Sequence, residues 1–264
     1  MRVLIIKTSS LGDVVHHMPA VTDARQRFPD AQIAWVVEEA FVPLVGLHPA
    51  VDTVIPVATR RWRKQLLKRE TWKEIASFRR LLRPSVFDRV IDAQGLIRSA
   101  IIARGARGER HGYDAASIKE AFASRFYDVR HKVSRVLHAV ERNRRLTGLS
   151  LGYTPPPVID YGLRAEPRAG DRYALLLHGT SRASKEWPEE SWIELGRWLN
   201  GKGLESVLPW GTGLEKLRAE RLSAAIPGSR VLDKQSLDAT AKVIAGASLV
   251  VGVDTGLLHL AAAY

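Results

Sequence analysis

The chain of 264 residues contains no cysteine, which excludes disulfides and thiolate metal sites and fits a reducing compartment. It has no apolar stretch long enough to span a bilayer, for which about 20 residues are needed. Residues 3–6 are too short for the apolar core of a signal sequence. Polar Thr8-Ser9-Ser10 follows at once, so this segment is expected to be a first strand in a cytoplasmic protein. No Asp-x-Asp pair occurs, so no divalent ion held by paired carboxylates is indicated. Aromatic residues make up only 7%. Acidic residues are scarce in one half alone. Residues 1–150 hold 27 Lys/Arg against 15 Asp/Glu, whereas residues 151–264 hold 13 of each. The net charge of +12 therefore sits entirely in the first half. Such a field serves solubility or attracts a polyanion: nucleic acid, an anionic membrane surface or an acidic substrate.

What is present is an alternation of strand and helix signals, the pattern of parallel sheets covered on both faces. The first half predicts strands at 3–7, 33–37, 53–57 and 89–92, with helices at 14–28, 72–82, 96–104 and 133–146. The stretch 130–145 reads as the basic, exposed face of a helix whose apolar stripe is Val133, Val136, Leu137 and Val140. Thr154-Pro155-Pro156-Pro157 is then a stiff break that coincides with the charge boundary. It divides a domain 1–153 from a domain 154–264 and would act as a hinge. The second half predicts strands at 174–177, 206–208, 230–232 and 249–253, with helices at 188–200, 215–224, 237–246 and 257–263. Two doubly wound domains would create a cleft facing the carboxyl ends of both sheets, where ligands of such folds bind. The second domain has about four strand candidates where five or six are common, so a C-terminal truncation is expected.

Three turns have one grammar: a buried strand, a small polar loop, then a helix. They are Thr8-Ser9-Ser10-Leu11-Gly12-Asp13, His178-Gly179-Thr180-Ser181 and Asp254-Thr255-Gly256. The first N–H groups of a helix lack internal partners and favour negative charge, so the three turns point to a phosphate-bearing ligand.

The Ser9-to-Asp13 turn, Asp92-Ala93-Gln94-Gly95-Leu96, the loop from Thr180 to Trp187, and Asp254-Thr255-Gly256 with His259 together resemble the lipopolysaccharide heptosyltransferases of glycosyltransferase family nine. Arg60-Arg61-Trp62-Arg63-Lys64 resembles the heptosyltransferase I branch in particular. The resemblance runs along the whole chain. It implies a GT-B fold of two Rossmann-like domains and an inverting transfer of L-glycero-D-manno-heptose from ADP-heptose to the first Kdo of Kdo2-lipid A. It further implies a peripheral enzyme on the cytoplasmic face of the inner membrane, with no cofactor, no metal and no nucleic-acid partner. The alternatives are a family-nine enzyme with another donor or acceptor, a nucleotide-sugar-binding fragment without turnover, and a basic nucleic-acid-binding protein.

Within that resemblance Asp13 is the expected catalytic base, since inverting transfer needs one group to take the acceptor proton. From spacing alone a helix cap is the commoner role for such an aspartate. On the donor side the resemblance names Thr180, Ser181, Lys185, Glu215, Asp254, Thr255, Gly256 and His259. Lys185 would face the diphosphate with the Thr180 and Ser181 hydroxyls and the backbone amides of Thr255 and Gly256. Asp254 would hold heptose hydroxyls and Glu215 the ribose. Each has a plainer role: a solvated lysine, ordinary turn chemistry, a structural histidine, and a first-turn glutamate placed by the helix dipole. On the acceptor side it names Ser10, Arg60, Arg61, Arg63, Lys64 and Gln94. The Arg/Lys cluster has guanidinium forks that match carboxylates and phosphates, and it reads otherwise as a solvated loop.

Overall fold

The computed structural model describes residues 1–83, 85–164, 172–180 and 182–264. They form two compact units, Met1–Gly162 and Leu163–Tyr264. The expected border at 153/154 thus lies inside the first unit. The proline stretch stays there because Arg144 Nη2 donates to the carbonyls of Pro156 and Val158, at 2.6 and 2.9 Å. Gly162, at φ +70°, lies against His48 and Thr22, where a Cβ would meet atoms at 2.5–2.8 Å.

The first unit runs β1 (Arg2–Ile6), α1 (Leu11–Val15), α2 (Met18–Arg27), β2 (Gln32–Glu38), α3 (Val42–Val45), β3 (Thr53–Val57), α4 (Thr59–Lys64), α5 (Arg69–Leu82), β4 (Val86–Asp92), α6 (Ile97–Gly105), β5 (Arg107–Tyr113), β6 (Val129–His131) and α7 (Ala139–Leu151). Its strands pair in parallel in the order β3-β2-β1-β4-β5-β6. β1, in the centre, is apolar on both faces. Leu4 and Ile6 join Phe78, Leu82, Ile102 and Ala103 of α5 and α6 in one buried cluster. Val3 and Ile5 point to the opposite face and are also fully buried.

Several elements differ from the sequence expectation. The expected helix 14–28 is two helices, α1 and α2. Pro19 cannot donate to the carbonyl four residues back, and it sits instead in the first turn of α2, where no donor is required. β5 and β6 were not anticipated. β5 reads Arg-Gly-Glu-Arg-His-Gly-Tyr, which shows no apolar alternation. Helix α7 begins six residues later than expected, so Arg130, Lys132 and Arg135 are exposed ahead of it, and of its own basic residues Arg145 is exposed while Arg144 turns inward. Arg144 is 2% exposed and donates to Asp23 at 2.7 and 3.1 Å, whereas Val136 is 93% exposed.

The second unit runs β7 (Tyr173–Leu177), α8 (Glu189–Gly201), β8 (Glu205–Leu208), α9 (Gly213–Ala225), β9 (Ser229–Val231), α10 (Leu237–Ala245), β10 (Leu249–Gly252) and α11 (Gly256–Ala263). Its parallel sheet has the order β10-β7-β8-β9. Ala174, Leu176 and Leu208 pack with Trp192, Leu199, Ala219 and Leu222 of α8 and α9. Each unit is therefore a doubly wound, Rossmann-like α/β structure, with loops gathered at the carboxyl ends of its strands.

Candidate functional site

In the first unit the site is assembled from two neighbouring strand ends, those of β1 and β4. Its lowest support is the carboxylate of Asp92, fully buried at the end of β4. Oδ1 accepts from the backbone N–H of Gln94 at 2.9 Å and of Gly95 at 3.1 Å. Oδ2 accepts from the Ser99 hydroxyl at 2.8 Å and the Tyr127 hydroxyl at 2.7 Å. Burial pushes the Asp92 carboxyl up, and these four donors pull it back. The tight turn this builds needs the left-handed backbone of Gly95, at φ +69°.

That turn aims Gln94 at the β1–α1 loop. Gln94 Oε1 accepts from the backbone N–H of Thr8 at 2.9 Å and of Ser9 at 3.0 Å, and Arg98 donates to the Ser9 hydroxyl at 3.1 Å. Ser10 caps α1, and Asp13 sits at its third position. Ser10 N–H and O–H both donate to Asp13 Oδ2, at 2.7 and 2.9 Å. Asp13 thus reaches back to close the helix start rather than capping a helix that begins after it. Both donors fall on one oxygen, which fixes the carboxylate plane.

Asp13 lines a cavity of about 160 Å³ together with Lys7, Gln94, Tyr113, Lys119, Arg142 and Asn143. Lys7 Nζ donates to the Ala93 carbonyl at 2.9 Å. Burial pushes its ammonium below the usual lysine value, with Asp13 and Asp92 acting in the opposite sense. The Arg142 guanidinium lies 4.9 Å over the Tyr113 ring. Its buried Nε has no hydrogen-bond partner among the described residues. The arrangement is one oriented carboxylate beside three cations, suited to deprotonating a hydroxyl on an anionic molecule. Lys7, Lys119, Arg142 and Asn143 escaped sequence reasoning. Lys7 reads as the end of a strand, Arg142 and Asn143 fall in the stretch 130–145 that reads as a solvated helix face, and Lys119 lies where no motif occurs.

Of the expected acceptor residues, Ser10 and Gln94 are committed to holding Asp13 and its loop. Arg60, Arg61, Arg63 and Lys64 do not line this cavity. They lie on α4, which is a helix rather than a loop. The Thr59 hydroxyl bonds the Glu38 carboxylate. Arg61 forks onto Glu39, at 3.0 Å from both Nε and Nη2, and reaches Glu74 at 2.9 Å. Trp62 Nε1 donates to Glu74 at 2.7 Å. The Arg60 guanidinium covers the Phe41 ring at 5.5 Å. Arg61 is consequently a brace, while Arg63 and Lys64 are exposed.

In the second unit, three expected donor residues converge on a fourth, Asp254, in the turn from β10 to α11. Lys185 pairs with its carboxylate. The Thr180 hydroxyl donates to its backbone carbonyl at 3.2 Å, and His259 Nε2 stands 3.7 Å from Oδ1. The Lys185 hydrogen bond holds the Asp254 carboxyl below the usual range. Lys185 therefore already has a carboxylate partner, an arrangement the sequence did not suggest. Thr255 caps α11 and Gly256 opens it. Ser181 lies outside the described residues. Glu215 closes the start of α9: its Oε2 accepts from Gly211 and Thr212 N–H at 2.7 and 3.0 Å. It also lines a cavity of about 220 Å³ with Gly179, Trp210, Thr240, Thr255 and Leu257. A Cβ at Gly179 would approach Glu215 Oε1 to 2.8 Å, so glycine is what lets this wall close up. Trp210 is held by a 2.7 Å bond from Nε1 to the Leu232 carbonyl. It had not been singled out in sequence, where a lone tryptophan carries no positional signal. A slot with an indole, aliphatic walls, a carboxylate and a helix start is suited to an aromatic base, a sugar diol and a phosphate.

Among the described residues no group of three or more His, Asp or Glu is gathered as a metal site, and no helix is long and apolar enough to cross a membrane.

Comparison with known proteins gives this geometry a family. Residues 75–264 match the family described as Glycosyltransferase family 9 (heptosyltransferase). The chain is 46% identical to lipopolysaccharide heptosyltransferase 1 of Salmonella typhimurium, over 100% of this chain and 85% of that protein. It is 47% identical to the protein of the same name from Escherichia coli K12, again over 100% and 85%. Among solved structures, E. coli heptosyltransferase WaaC with ADP-2-deoxy-2-fluoro heptose superposes with a TM-score of 0.95 at 46% identity, covering 100% of this chain and 86% of that one. The match extends to both Rossmann-like units, and the fold class is GT-B. The chain belongs to glycosyltransferase family 9, the heptosyltransferases.

Proposed function

We propose that the protein transfers L-glycero-D-manno-heptose from ADP-heptose to the first Kdo of Kdo2-lipid A, in assembly of the lipopolysaccharide inner core. The transfer proceeds with inversion and without a metal ion. The enzyme works as a peripheral protein on the anionic, cytoplasmic face of the inner membrane. The single observation that carries the chemistry is Asp13: an oriented carboxylate in a cavity it shares with Lys7, Lys119 and Arg142. The names of the relatives supply the donor and the lipopolysaccharide acceptor, and the +12 charge suits an acidic acceptor.

In this reading Lys119 and Arg142 hold the acceptor through its carboxylates. The acceptor hydroxyl attacks the anomeric carbon from the side opposite ADP, the carbon–oxygen bond to the diphosphate breaks, and Asp13 takes the proton. The adenosine occupies the slot beside Trp210, with the ribose diol on Glu215. The diphosphate lies at the start of α11 and draws Lys185 from Asp254, which is then free to accept from heptose hydroxyls. Fixed donors aimed at the departing diphosphate do the work a metal would otherwise do, and removing one typically costs about 3–4 kcal/mol.

The test is ADP release from ADP-heptose by the purified chain, with and without delipidated Kdo2-lipid A, in EDTA. Acceptor-dependent release that survives chelation is expected. Release abolished by EDTA and restored by Mg²⁺ would overturn the metal-free reading. Absence of both release and ADP-heptose binding would overturn the donor assignment.

A further inference from the structure

The turn joining α4 to α5 exposes apolar side chains that belong to neither candidate site. Leu67 is 101% exposed, Trp72 57% and Leu66 49%. They do not protrude from a slack loop. Gln65 N–H donates to the Trp62 carbonyl at 2.9 Å, Lys68 N–H to the Gln65 carbonyl at 3.0 Å, and Trp72 Nε1 to the Leu66 carbonyl at 2.8 Å. Beneath them Trp62 packs edge-on against Phe78 with centroids 5.9 Å apart, and its Nε1 is bonded to Glu74. The turn is thus anchored to the sheet-facing side of α5, and its leucines point outward at a cost in hydration that the fold does nothing to relieve.

The rim of this apolar tip is basic. Arg63, Lys64, Lys68, Arg69 and Lys73 are all exposed, against the single carboxylate of Glu70 in the same stretch. On α5, Trp72 lies three residues from Arg69 and four from Lys68, so these cations flank its indole. Leucines and an indole ringed by Lys and Arg match the boundary between lipid headgroups and acyl chains, where tryptophan has one apolar side and one wet side. The cations complement anionic headgroups, and their aliphatic stems extend the apolar footprint.

We infer that the α4–α5 turn is a membrane-insertion element, in which Leu66, Leu67 and Trp72 enter the interface of an anionic bilayer. Arg63, Lys64, Lys68, Arg69 and Lys73 grip its headgroups. This rests on the peripheral placement proposed above and assigns that placement to one segment.

The experiment is flotation of the full chain with vesicles of phosphatidylcholine alone or with about one third phosphatidylglycerol. It is run for the wild type, L67S, W72S and K68E/K73E. Heptose transfer to the delipidated, water-soluble acceptor is measured in parallel. The wild type should bind the anionic vesicles and not the neutral ones. L67S and W72S should each weaken binding roughly tenfold, from the burial of one large apolar side chain, and K68E/K73E at least as much. All three should transfer heptose to the soluble acceptor at the wild-type rate, which also shows that they fold. Wild-type affinity in L67S and W72S would overturn the assignment and leave peripheral docking to another surface. Failure of the wild type to float with either vesicle would overturn both, while transfer to the soluble acceptor would leave the enzymatic reading intact. Binding of RNA in place of vesicles, with the same dependence on Leu67 and Trp72, would turn the patch into a nucleic-acid surface and overturn the proposal.

Discussion

Asp13 takes two donors from Ser10 on a single carboxylate oxygen, so an amide can replace it with little change of shape. D13N should fold normally and lose turnover by about 10²–10⁴-fold, the usual range for a positioned acid or base. Release of ADP in the presence of the soluble acceptor checks this, and an unchanged kcat would remove Asp13 from the chemistry. A second residue-scale prediction concerns Arg144 and Asp23, each with a side chain 2% exposed. R144M leaves the Asp23 carboxylate buried without its partner, and should destabilise the first unit by roughly 3–5 kcal/mol. D23L/R144M, which removes both charges, should recover most of that loss in urea unfolding. Recovery would show that the penalty belongs to the orphaned charge and not to lost packing.

The β4–α6 turn reaches the β1–α1 loop through one side chain. Q94A leaves the backbone N–H groups of Thr8 and Ser9 without their shared acceptor. The loop carrying Ser10 and Asp13 should then wander. Turnover should fall about 10–100-fold, as expected for a misplaced reacting group, with the KM for ADP-heptose unchanged. Steady-state kinetics with varied donor measures this split, and a urea-unfolding midpoint close to that of the wild type separates it from a loss of folded enzyme, which would also lower the apparent kcat with KM unchanged. Turns of this kind were legible in the sequence because small polar residues follow short apolar runs, and all eight strands read in that way appear in the structure. β5 and β6 were not legible, since β5 is placed by pairing with β4 and β6 by pairing with β5, and not by any alternation of their own. The break at His16 and His17 has its signal in Pro19, which opens a helix more readily than it continues one. The role of α7 was not readable: Asn143 and Arg144 look like surface residues until α2 supplies Asp23 and the break between α1 and α2 supplies the His16 carbonyl. Charge run and buried network have the same spelling.

Across the whole chain, buried histidines tie stability to pH. Burial drives His17 from its usual 6.5 to about 3, and also lowers His111, His131 and His178. The unfolded chain therefore takes up more protons than the folded one below about pH 6.5, so stability is fully present above that value and falls as pH drops. Urea midpoints at pH 7.5 and 5.5 check the sign, and a midpoint rising toward pH 5.5 would contradict it. H111Q/H131N should show a flatter pH dependence than the wild type, because His111 Nδ1 and His131 Nε2 share one hydrogen bond at 3.0 Å and cannot both be charged there without losing it. The strand orders bear on origin. Read from its β9 edge, the second sheet runs β9-β8-β7-β10, the same path as β3-β2-β1-β4 in the first. In both, the site-bearing turns follow the two strands on either side of the point where the path reverses. Such a repetition is what duplication of one ancestral nucleotide-binding unit would leave behind. On that shared path the first unit carries the surplus positive charge and the oriented carboxylate, and the second carries the glycine-lined slot.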